Sequence, residues 1–238
     1  MNKIFFLIFT FCFISETALA ININDDIFKK AIENDSLSAV NNVINQGIDF
    51  TERNKQGDTV LLYVLENTQD LRVVKAIIDA GANVNEPSSD TGMTPLIYVT
   101  SRANVLRESA LKMSVESRTN LSAEKMQKAI IKQMKYLRAL LSLLIEKGAD
   151  INQETPYGTP LMNASTNEWN QDLISDLLQA KAEVNKVDRF GRTALFYAQV
   201  NDCDKIIMQL LEAGADVNIK DMDGLTYLEI QKSDFNKN

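Results

Sequence analysis

Two close carboxylate pairs, Asp25 with Asp26 and Asp221 with Asp223, and two cysteines, Cys12 and Cys203, are the first residues whose type and spacing suggest chemistry. Paired carboxylates at loop spacing could begin a calcium site, and a thiol is a nucleophile or a metal ligand. Neither reading develops. A calcium loop needs a glycine-patterned run of ligands, and none surrounds either pair. No histidine occurs in the 238 residues, so Ser-His-Asp and Cys-His catalysis and His-ligated zinc are excluded. Carboxylates, Lys, Tyr and Ser remain, but Asp150 and Asp216 belong to a recurring turn phrase and most other carboxylates fall on helix exteriors. The sequence predicts no enzyme, no cofactor and no metal.

Chemistry of another kind lies in the charges and in the start of the chain. With 25 Lys plus Arg against 32 Asp plus Glu the net charge is −7, which argues against nucleic acid as a partner, since phosphates need a basic surface. Residues 1–20 have the order of an export leader: Lys3, an apolar run from Ile4 to Ile14, then Ala18-Leu19-Ala20 as a small-x-small cleavage site. A run of eleven residues falls short of the roughly 20 apolar residues that span a bilayer. The expectation is cleavage after Ala20 and no stable membrane insertion afterwards. Phe11 before Cys12 argues against a lipoprotein. After cleavage Cys203 is the sole cysteine and is expected as a plain buried thiol, because no intramolecular disulfide can form. A Sec-type leader with a lone cysteine fits a bacterial periplasm first and the extracellular space second.

The elements that must position these residues come from self-comparison. One phrase, Gly-x-Asn/Asp-x-Asn, recurs at Gly81 to Asn85, Gly148 to Asn152 and Gly214 to Asn218, with a worn copy from Lys181 to Asn185 that lies 33 residues from each neighbour. A second, Gly-x-Thr-x-Leu, recurs at Gly57, Gly92, Gly191 and Gly224, and Gly158-Thr159-Pro160-Leu161 is one residue short. Thr before a helix accepts from an orphan backbone N–H, and Pro95 or Pro160 after it loses nothing at the first helical position. Aliphatics at helical spacing follow, such as Val73-Val74 with Ile77-Ile78. Gly81, Gly148 and Gly214 then end the second helix, where a left-handed residue is wanted. Each unit is a helical hairpin and a turn.

Two phrases in fixed order at intervals near 33 residues resemble the ankyrin repeat from about residue 24 to residue 232. The resemblance implies an all-α ankyrin-repeat solenoid of helical hairpins. The expected units are a cap at 24–53, repeats at 54–85, 86–152, 153–185 and 186–218, a half repeat at 219–232 and a disordered tail at 233–238. The family's usual His after Thr-Pro-Leu, which makes an interhelical polar contact, is replaced by Leu62, Ile97, Met162 and Phe196, so apolar packing is expected there.

The third unit is too long. Thr94 precedes Gly148 by 54 residues, against 21 or 22 in the other full repeats. A decayed repeat could fill the interval, but 102–134 holds no glycine, no proline and neither phrase. Val99, Ala103, Leu106, Ala110 and Met113, then Met126, Ile130, Met134, Leu137, Leu141 and Leu144, have the seam spacing of two packed helices. One elongated, projecting hairpin with its extension at about 102–134 is therefore favoured, turning near Arg118 to Leu121, with Ser122 and Glu124 suited to start the second helix. Residues 102–138 hold nine Lys or Arg and three Glu, a net +6 on a chain whose remainder is −13.

Function follows from the resemblance. Ankyrin stacks bind proteins through a concave face of turn tips and first helices, and the contacts are residues the repeat does not fix. The candidate tip residues are Arg53, Lys55, Tyr157, Asp188, Arg189, Phe190 and Met222, with Tyr157 and Phe190 foremost because exposed aromatics dominate interface energy. The candidate arm residues are Arg107, Lys112, Arg118, Lys125, Lys128 and Lys132, which suit an acidic patch on the partner. Trp169 is expected to pack. The sequence thus predicts an exported adaptor or inhibitor, as immunity proteins are, acting as a monomer or within a heterocomplex. Its rivals are a secreted effector acting on a host and an enzyme using carboxylates or Lys.

Overall fold

Thr59, Thr94, Thr159 and Thr193 each sit before a helix, and each hydroxyl accepts an N–H three residues on, from Leu62, Ile97, Met162 and Phe196 at 3.2–3.4 Å. These caps start the first helix of four successive hairpins. The computed structural model describes residues 21–116, 120–227, 229 and 230. The expected leader with Cys12, the tail at 233–238 and the centre of the 118–121 turn lie outside them.

In chain order the helices are α1 (Asp26–Glu33), α2 (Leu37–Gln46), α3 (Val60–Asn67), α4 (Leu71–Asp79), α5 (Pro95–Glu116), α6 (Asn120–Glu146), α7 (Pro160–Ala164), α8 (Gln171–Gln179), α9 (Ala194–Val200) and α10 (Asp204–Glu212). A 3-10 turn, Glu168–Asn170, links α7 to α8, and a last helical segment begins at Tyr227. Odd-numbered helices adjoin α1 to α3 to α5 to α7 to α9, while α2 adjoins α4 and α8 adjoins α6 and α10. The fold is an all-α helical repeat solenoid in two layers, with one apolar core running between them from Ile21 to Leu210. Cys203 is buried in that core.

The turn phrases hold successive units together. Asn85 at the end of one phrase donates through Nδ2 to the Gly148 carbonyl at 3.0 Å and accepts the Asp150 N–H at 2.7 Å. Asn185 repeats both bonds with Gly214 and Asp216 at 3.0 and 2.8 Å, and Asn152 accepts from Glu183 N–H at 2.8 Å. Gly191 has φ +75°, and a Cβ there would lie 3.0 Å from the Asp221 Cα, so the glycine admits the next tip.

At the positions where the family carries His, Leu62, Ile97 and Met162 are buried as expected. The Met162 sulfur also accepts the Thr159 N–H at 3.4 Å, closing a reciprocal cap. Phe196 departs from the expectation. It is only half-buried and carries the Arg192 guanidinium 5.0 Å from its ring centre.

Two uninterrupted helices fill the long interval. At 1.5 Å per residue, the 22 residues of α5 and 27 of α6 extend about 33 and 40 Å, against about 12 Å for the eight residues of α3. Their shared base is dry: Val99, Ala103, Leu137, Leu140, Leu141 and Leu144 are buried. Outward, Leu106, Ile130 and Met134 are half-buried and Ile131 is exposed. The second helix begins at Asn120, two residues before Ser122, so Ser122 lies within its first turn.

Candidate functional site

The tips divide the predicted residues into two groups. Asp188 is turned into its own tip, whereas the sequence suggested an exposed contact residue. It is 8% exposed, its Oδ1 accepts the Phe190 and Arg192 N–H groups at 2.8 and 2.9 Å, and its Oδ2 accepts the Tyr197 hydroxyl at 2.6 Å. Asp221, 33 residues later, accepts from Asp223 and Leu225 in the same way, and Asn54 from Gln56 and Asp58. An Asn or Asp three residues before each of these tip glycines is the signal that marks the position as part of the turn. Arg53 is half-buried and bonded within the stack. Its guanidinium donates to the Gly57 and Pro87 carbonyls at 3.0 and 2.8 Å and pairs with Glu86 at 2.5 Å, so it ties its own tip to the next.

Lys55, Tyr157, Arg189, Phe190 and Met222 are exposed. Three of them form one cluster. The Arg189 guanidinium lies 4.7 Å from the Phe190 ring centre, and the Met222 N–H donates to the Phe190 carbonyl at 2.9 Å, placing a 74% exposed thioether on the adjoining tip. Arg192, which the sequence did not single out, lies 5.3 Å from the same ring and stacks also on Phe196. Its spacing from Phe190 and Phe196 was the available signal. The phenol of Tyr197 beneath them is pushed up to about 12, first by burial and then by its bond to Asp188.

On the arm, Lys125, Lys128 and Lys132 are exposed, and Lys128 pairs with Glu124 at 2.7 Å. Lys135, outside the predicted set, is exposed on the same side. Arg138 is different in kind: it pairs with Asp176 at 2.7 Å and Asp172 at 3.0 Å and so fastens α6 to α8. Arg107 and Lys112 belong to α5, but their side chains lie outside the described residues, as does the whole of Arg118.

Trp169 is also corrected. Asn167 accepts its backbone N–H at 3.1 Å, and the inward place in this turn belongs to Asn170, which donates to Asn104 and to the Ala164 carbonyl at 2.7 and 2.9 Å. The indole is therefore left 45% exposed.

Two grooves flank the arm. One of about 720 Å³ lies against the α3–α4 turn. There Tyr98 and Tyr136 donate to the Leu65 and Thr68 carbonyls at 2.8 and 3.2 Å, and burial raises both phenols above their ordinary value. Burial likewise raises Glu66, with Asp58 adding to it and Arg102 opposing. The cations here, Arg72, Arg102 and Lys132, face Asp35, Glu66 and Asp70, so the groove has no dominant sign. The other, about 490 Å³ between α6 and α8, is lined mainly by apolar groups. Among the described residues no helix is long and apolar enough to cross a membrane.

The model of ankyrin repeats in three copies fits residues 128–221, from within α6 to the last tip. No curated protein matches the chain. Residues 128–221 thus match ankyrin repeats, and capped hairpins of the same build precede them in the chain.

Proposed function

We propose that this ankyrin-repeat module is exported and works by holding another protein, as an adaptor or as an inhibitor of the immunity type, in the periplasm. The observation that carries the binding surface is the Arg189–Phe190–Met222 cluster. An aromatic ring 41% exposed under a guanidinium is the kind of anchor that dominates interfaces, and Asp188 and Gly191 fix it without flexible support. The lysines of α6 form a second, electrostatic element that favours an acidic partner. The leader-like residues 1–20 and the absence of a second cysteine from the rest of the chain support export. No catalytic step is part of the proposal.

Capture from periplasmic extract with the affinity-tagged chain tests it. One specific partner should be retained, and Phe190→Ala with Arg189→Ala should weaken its binding by about 2 kcal/mol or more, as removal of a principal anchor does. Finding the protein in the medium, or a partner indifferent to both changes, would refute the periplasmic or the tip assignment respectively.

A further inference from the structure

Lys125, Lys128, Lys132 and Lys135 follow one another by 3, 4 and 3 residues. At 100° per residue they fall within an arc of about 80° on α6. All four are exposed, and of them only Lys128 has a carboxylate at ion-pair distance among the described residues. Beside this stripe runs the groove between α6 and α8. Its α6 wall presents two rows at i, i+4 spacing, Ile130–Met134–Arg138 and Ile131–Lys135–Ala139, both ending near Ser142. Rows of that kind with a furrow between them are what the side-chain ridge of another helix packs into. Ile131 stands 60% exposed among the lysines, with no core role to explain it. The acidic residues at the far wall, Asp172 and Asp176, are both paired with Arg138, and with Lys135 the formal charges lining the groove cancel, so attraction for an anionic occupant comes from the lysine stripe beside it.

We infer that this groove and the lysine stripe beside it seat one acidic amphipathic helix of the protein partner. Apolar residues of that helix enter the furrow over Ile131 and Met134 while its carboxylates face Lys125, Lys128 and Lys135. The surface from Lys125 to Ser142 is about 26 Å long at 1.5 Å per residue, which suits a helix of about five turns. The inference rests on the protein-binding function proposed above and deepens it: the tips recognise the body of the partner, and α6 recognises a helix.

A fluorescein-labelled 21-residue peptide of glutamate and leucine, with leucine at heptad positions a and d, is the probe, and a permuted isomer of the same composition is its control. Fluorescence anisotropy with the full chain should show the amphipathic peptide binding about tenfold or more tighter than the isomer. Combined Lys125→Glu, Lys128→Glu and Lys135→Glu should remove that binding. Ile131→Asn should weaken it about tenfold without altering its salt dependence, and circular dichroism should show both variants folded. Equal binding of the two peptides, or affinity unmoved by Ile131→Asn, overturns the groove. Binding of phosphatidylserine vesicles in place of the peptide also overturns it, and shows a membrane surface instead. A native partner lost with Phe190→Ala but indifferent to lysine reversal would leave the tip function standing and remove the helix site. Peptide binding without any captured partner would do the opposite.

Discussion

Lys181 occupies the place held by Gly81, Gly148 and Gly214, and it does so with φ +72°. A side chain in that conformation is strained by about 1 kcal/mol, so Lys181→Gly should raise stability by about that amount in urea unfolding. Tyr197 provides a second test. Its folded pKa, about 12, lies above the ordinary 10, so its contribution is complete below pH 10 and is lost as pH rises through 12. Tyr197→Phe should cost about 1 kcal/mol at neutral pH through the missing bond to Asp188. Relative to that variant, the unchanged chain should lose stability between pH 10 and about 12. At this scale the sequence was legible where a residue type has one use, as with the capping threonines. It misled where a polar residue has two. Asp188 and Arg53 are charged and stand at tips, which suggests contact with a partner, yet backbone amides and carbonyls within bonding distance claim both.

Among the elements, the long hairpin was legible because 102–134 holds no glycine or proline, and the 3- and 4-residue steps of its apolar positions specified which faces meet. Its internal gradient was not, since periodicity alone says which side is inward and not whether a neighbour covers it. Leu141 sits at the base of the hairpin and is fully buried, while Ile131 is 60% exposed. Leu141→Ala should therefore cost about 2–5 kcal/mol and Ile131→Ala less than about 0.5 kcal/mol, measured by thermal or urea melts. Deleting residues 105–136 would set Thr94 22 residues before Gly148, the interval found between Thr59 and Gly81. The shortened chain should melt in one cooperative transition with less helix, because the turns that join the repeats lie outside the deletion. A stack that no longer folds would show that the arm is a structural brace. The exposure of Trp169 belongs to this same level: the 3-10 turn that presents it has no distinctive spacing in the sequence.

For the molecule as a whole, a net charge of −7 conceals a basic segment of +6 on a body of −13. Binding of an acidic partner through α6 should weaken by about tenfold between 50 and 300 mM salt, mainly through a slower association rate, since exposed charges are screened over about 10 Å at 0.1 M. Removal of the arm should abolish most of that dependence, and stopped-flow measurements would separate it from the tip contribution. The way the arm is built has a further consequence. It lengthens along the axes of α5 and α6, whereas the repeats accumulate across them, and the Asn85 bonds to Gly148 and Asp150 that join this unit to its neighbours lie at the end of the helices away from the extension. Seven residues added to each helix would move its outer end by about 10 Å and leave every tip where it is. The length of the arm is thus a dimension of the chain separate from the spacing of its tips, and it can drift over generations without disturbing the stack.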